Sequence, residues 1–220
     1  MIHGLLAAAS IAVVAAVAQN QDPPALDLVV QLRAAATTSP RNPSAWYELG
    51  QAYNAVKQNA LATFTRPSDA PWRALLSADA LLENGHLTDA FTLYRAAEEA
   101  LASMVTIHDS VAQIYEHTGH TQWAAAERAK IHIDPGDCSM RRALCEFRAG
   151  RYDASLDAAT QASDAEARYW TARAANELAL AAFKRLDTLP DSVERRLVRA
   201  ARRRSDAGDG GDLCRTARQC

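Results

Sequence analysis

His108, His117, His120 and His132 crowd one stretch of the sequence, with Cys138 just beyond. These are the residue types that hold a transition metal. A bound ion needs three or four of them to converge at about 2 Å. His117-Thr118-Gly119-His120 sets two imidazoles astride a glycine turn. His108 precedes His117 by nine positions, on the opposite face of a helix. A metal-dependent hydrolase using the His108/His117/His120 cluster is therefore the alternative function, and turn and surface histidines are the simpler account. His108-Asp109-Ser110 contains the residue types of a nucleophilic triad. Consecutive helical residues point about 100° apart and form no relay. The sequence has no His-Glu-x-x-His, Cys-x-x-Cys, Gly-x-Ser-x-Gly or phosphate-binding glycine loop. Asp206, Asp209 and Asp212 are spaced by three with no closing Glu, which does not suit a calcium loop. The expectation is a non-enzymatic protein with no catalytic residue, metal or cofactor.

The other chemistry belongs to the cysteines. Cys138, Cys145, Cys214 and Cys220 are even in number and allow three pairings. Seven residues along one helix span about 10.5 Å, too far for a bridge. A Cys138–Cys145 disulfide requires Cys138 to lie before the helix, and Pro135-Gly136-Asp137 offers that break. Two unpaired thiols are the other option. The compartment bears on this. Residues 4–18 carry no charge and are too short to span a bilayer, which takes about 20 residues. Ala16-Val17-Ala18 suits a signal peptidase, and Gln19-Asn20-Gln21-Asp22-Pro23-Pro24 follows. Residues 1–18 read as a signal peptide. The product is expected to be exported, periplasmic or extracellular, with no stable membrane span after cleavage.

Helices must position all these groups. Gly85 and Gly119 stand 34 residues apart. Ala78 recurs as Ala112 and Ala90 as Ala124. That period, with small residues at helix contacts, marks an array of helical hairpins. Hairpins are expected at 72–102, 105–131 and 139–162, turning at Gly85, Gly119 and Gly150. Residues 25–36 read as a short helix, and 43–64 as one long helix or a hairpin. Residues 164–186 read as an unbroken helix stopped by Pro190, and 192–204 as a last, arginine-rich helix with a solvated basic face. Residues 19–42 form a linker with the short helix, 43–204 the array, and 205–220 a disordered tail rich in Gly and Asp. A truncated larger protein would also end in this way. The net charge of −2 gives no reason to expect nucleic acid as a partner.

The segment from Pro43 resembles the first helix of a tetratricopeptide repeat (TPR), with Trp46, Leu49, Gly50 and Tyr53 in the family's places. Its usual turn glycine is Lys57 here. The likeness is strongest over 72–131. It implies an all-α fold: a right-handed solenoid of antiparallel hairpins that acts as a scaffold, binding a protein or peptide on a concave face. Counting the family's groove positions gives Trp72, Leu75, Asp79, Glu83, Asp109, Gln113 and Glu116, with Tyr47, Gln51 and Asn54 from the first repeat. No Lys or Arg falls there, so the expected occupant is an extended segment with positive charge.

Overall fold

A computed structural model describes residues 26–133 and 136–203. The signal-like start, the tail, Cys214 and Cys220 lie outside the described residues. Every regular element described is helical, so the protein is all-α. In chain order the helices are α1 (Leu26–Thr38), α2 (Pro43–Ala62), α3 (Ala70–Glu83), α4 (Leu87–Ala100), α5 (Thr106–His117), α6 (Thr121–Ala129), α7 (Asp137–Met140), α8 (Arg142–Arg148), α9 (Tyr152–Ala159) and α10 (Ala165–Asp187). A last helix, α11, covers 193–203.

Three hairpins share one turn. Gly85, Gly119 and Gly150 end α3, α5 and α8 with φ of 79°, 81° and 71°. This is left-handed backbone, which costs glycine nothing sterically. In the first turn the His86 amide donates to Leu81 O at 2.9 Å and the Gly85 amide to Leu82 O at 3.0 Å. The other two turns repeat the pattern, which satisfies carbonyls a helix end leaves open. Seven residues before each glycine stands Ala78, Ala112 or Ala143; five after stands Ala90, Ala124 or Ser155. All six are buried. The third hairpin thus keeps its internal register, although its glycine breaks the 34-residue spacing.

Residues 43–62 form a single helix, not a hairpin. Asn42 caps it by accepting from the Ser44 amide at 3.1 Å, and Pro43 follows at the first turn. With no hairpin mate, α2 pairs with α10, more than a hundred residues later. Alanines carry that contact: Ala45, Ala52 and Ala60 of α2, and Ala175, Ala179 and Ala182 of α10, are all buried. Gly50 allows the closest approach, because a Cβ there would lie 2.5 Å from the Phe183 ring.

Helix α10 belongs to two cores. Its first turns put Tyr169 and Trp170 among the hairpins, with Leu75, Tyr94, Ile107 and Leu144. Its later turns put Phe183 and Leu186 with Leu49, Tyr53 and Val56 of α2 and Val198 of α11. One helix therefore closes the hairpin array onto the N-terminal helices.

Cys138 and Cys145 are disulfide-bonded, with Cα atoms 5.6 Å apart. The helix breaks between them at Arg141, φ −115° and ψ 48°, which brings the sulfurs within reach. Arg141 fixes that loop by donating to Glu166 at 2.8 Å and to Ser103 O at 2.9 Å.

Candidate functional site

The apolar stripe of α2 faces α1 and α10. Its other stripe carries Tyr47, Gln51, Asn54 and Gln58, spaced four, three and four. These polar side chains line an open groove. One part, about 450 Å³, lies between α2, α10 and α11 and includes Tyr47, Asn54, Leu180, Phe183, Leu197 and Arg202. A second part, about 260 Å³, continues between α2, α3 and α10 past Leu61, Leu76 and Arg173. Lys57 and Asn176 border both. Leu180 and Leu197 are each about half exposed there, at 47% and 49%. The groove therefore offers amides that can hydrogen-bond a backbone, and leucines that can lose water.

Its charges are uneven. Asp79 lies buried under the groove floor. It accepts from Tyr94 at 2.7 Å and Tyr169 at 2.9 Å, and Arg173 stands 3.5 Å away. Arg173 also meets Glu83 at 2.9 Å. Burial, and then the Asp79 charge, push the Tyr94 and Tyr169 phenols far up, so both remain donors. Two carboxylates balance Arg173. Lys57 differs. Its Nζ donates to Asn176 Oδ1 at 3.1 Å, and no ion pair joins it to a carboxylate among the described residues. The α11 wall is positive too. Asp187 alone faces Arg202 at 2.7 Å and Arg195 and Arg199 at 3.8 Å. The last helix is thus not simply a solvated basic face: Val198 enters the core and three arginines share one carboxylate.

No family model, curated protein or solved structure matches this chain. The geometry alone therefore carries the functional reading.

The residues expected to line one negative face do not do so. Leu75 and Asp79 are only 1% and 4% exposed, covered by α10, and the Trp72 ring lies 5.6 Å from that of Tyr169. Glu83 reaches the groove rim but is spent on Arg173. Asp109 pairs with Arg148 of α8 at 2.8 Å, and Glu116 with Arg128 of α6 at 2.8 Å. Gln113 is exposed away from the groove lining. Arginines supplied by other helices neutralise the expected negative potential. Of the positions named from the first repeat, Tyr47, Gln51 and Asn54 all reach the open groove. Sequence reasoning passed over Lys57 as a missing glycine and did not bring α10 near α2. The signal was the stripe Asn176, Leu180 and Phe183 on α10.

The histidine cluster does not assemble. His117 Nδ1 sits 2.8 Å from Gln113 O, and His120 stacks on Trp123 at 4.3 Å. His108 turns elsewhere, 2.9 Å from Glu127 and 3.7 Å from Glu98. Glu98, His108 and Glu127 bring ligand-type atoms within 4.8 Å of one another. Arg95 already bridges those carboxylates at 2.5 and 2.6 Å, and Lys130 meets Glu127 at 3.0 Å. Two cations balance two carboxylates. An ion of charge +2 would have to evict Arg95, and with Lys130 still in place the two carboxylates would be left in a net positive site. The cluster is suited to bracing α4, α5 and α6 together.

Proposed function

We propose that the protein is a non-enzymatic polypeptide-binding scaffold, built from tetratricopeptide-type hairpins, whose binding surface is the groove between α2, α10 and α11. The observation that carries this reading is the juxtaposition of Asn54, Lys57 and Asn176 with the half-exposed Leu180 and Leu197 in one open groove. From Tyr47 to Gln58 the stripe runs about 16 Å along α2. That length accommodates about five residues of an extended chain. The surplus of cations on both walls favours an acidic segment. This reverses the positive partner expected from the sequence. The signal-like start and the Cys138–Cys145 bond both support an oxidising, exported location such as a bacterial periplasm.

Affinity purification from the cell envelope tests the groove. The unaltered chain is compared with Lys57→Glu, Leu180→Asp and, on the other face, Glu116→Ala. A partner lost with the first two and kept with the third, through an acidic segment protected from exchange, supports the groove. Equal recovery by all three folded variants overturns it. Cell fractionation tests the address: a cytosolic product still carrying residues 1–18 excludes export.

A further inference from the structure

We infer that the Cys138–Cys145 bond is a site of reductive modification: a dithiol reductant opens it, α7 and α8 join into one helix, and Arg141 lets go of Glu166. The bond and a continuous helix exclude one another. Seven residues of helix set Cα atoms about 10.5 Å apart, beyond the reach of a disulfide. Here the two Cα atoms stand 5.6 Å apart. The break is a single residue, Arg141, at φ −115° and ψ 48°. The local sequence does not require it. Residues 137–148 contain no Gly or Pro, and Met140, Arg142, Ala143, Leu144 and Glu146 are good helix formers. A continuous helix would give the amides of Arg142, Ala143 and Leu144 the carbonyls of Cys138, Ser139 and Met140.

The surroundings allow the movement. No residue of α7 is buried, and Met140 is 81% exposed. Both cysteines are half-buried, so a reductant can approach. An open cavity of about 390 Å³ borders Ser139, Met140, Arg141 and Arg142, which gives the segment room to turn. A thiolate of the reductant attacks one sulfur and forms a mixed disulfide, and its second thiol then displaces the chain's thiolate. The reductant leaves as a disulfide, and Cys138 and Cys145 take up the two electrons and two protons as thiols. New helical bonds stabilise the dithiol form and so favour reduction. Arg141 carries the change outward. In the bonded form its guanidinium joins Glu166 at 2.8 Å to Ser103 O at 2.9 Å and Met104 Sδ at 3.1 Å. It clamps the first turn of α10 to the loop between α4 and α5. Turning Arg141 to helical φ and ψ redirects its side chain and leaves Glu166 to Trp170 Nε1, at 3.1 Å.

Hydrogen exchange of the full chain tests this, read by mass spectrometry before and after dithiothreitol in native buffer. Iodoacetamide should label Cys138 and Cys145 in the reduced, folded chain. The amides of Arg142, Ala143 and Leu144 should exchange at least about tenfold more slowly after reduction, and those of residues 165–168 faster. The double variant C138S/C145S should show the same pattern with no reductant. Arg141→Ala in the oxidised chain separates the parts. It should loosen the first turn of α10 while residues 142–144 gain nothing, because the bond still forbids the helix. Unchanged or faster exchange at residues 142–144 on reduction overturns the proposal, as does a bond that dithiothreitol leaves intact in the folded chain. Protection lost across α4 and α5 as well would make the bond a plain staple, and overturns it too.

Discussion

The three hairpins and the closing helices are held by different kinds of contact. In α3–α4, α5–α6 and α8–α9, each turn and each small-residue contact joins residues close in sequence. Where α2 meets α10 and α11 the joints are distant. Lys57 meets Asn176 across 119 positions, and Ser44 meets Glu194 across 150. Short loops cost little closure entropy and fix local geometry cheaply. Long ones need a continuous surface, and here that surface is alanine against alanine. Charge divides along the same line. The hairpins bury or neutralise their charges against neighbours, whereas the closing helices keep an open, unbalanced groove.

The joint between the two regions should be the most sensitive point. Asp79→Ala leaves Arg173 and two tyrosine hydroxyls short of their buried partner. The expected loss is about 3–5 kcal/mol, read by urea denaturation. A loss below about 1 kcal/mol would mean that α10 is not held to the hairpins by this network. Next is the closing side alone. Gly50→Val drives a side chain into the Phe183 ring and should cost about 1–3 kcal/mol. Phe183→Leu in the same chain should return part of that loss. Simple additivity of the two changes would show that α2 and α10 do not touch there.

Gly119→Ala tests a local contact. No atom lies within 4 Å of the added methyl, so only the left-handed backbone resists it. About 1 kcal/mol is expected, with hydrogen exchange rising first at the α5–α6 turn. Protection lost first along α10 instead would erase the distinction between the regions. The smallest effect should be a pH response of the same hairpin. Burial alone would raise the Glu127 pKa, but hydrogen bonds from Lys130, Arg95 and His108 outweigh it and hold it below the ordinary 4.5. A depressed carboxylate stabilises above its unfolded value and loses that contribution as pH falls through the folded one. Exchange near α6 should therefore rise below pH 4.5, and Glu127→Gln should flatten that rise.

The hairpins were legible because glycine at positive φ and buried alanines leave a period. Gly150 could be read the same way, with Ala143 and Ser155 in matching places. Helix 165–187 was also legible, since nothing interrupts it between Asp164 and Pro190. Its destination was not. Alanine is a good helix former in any setting, so Ala175, Ala179 and Ala182 do not say which helix they meet. The groove was half legible for the same reason. Tyr47, Gln51 and Asn54 were named from α2, while Arg173, Asn176 and Leu180 belong to a helix whose place was hidden. Asp79 looked exposed because its burying partners, Tyr94 and Tyr169, come from two other helices.

The long separation between α2 and α10 also sets a timetable on the ribosome. Asn176 is added 119 residues after Lys57. At bacterial and eukaryotic elongation speeds that is a delay of about 6–24 s. Through that interval Leu49, Tyr53 and Val56 have α1 for company but no α10 to cover them. A nascent chain with this layout carries a helix whose apolar stripe lacks its main cover for most of its synthesis.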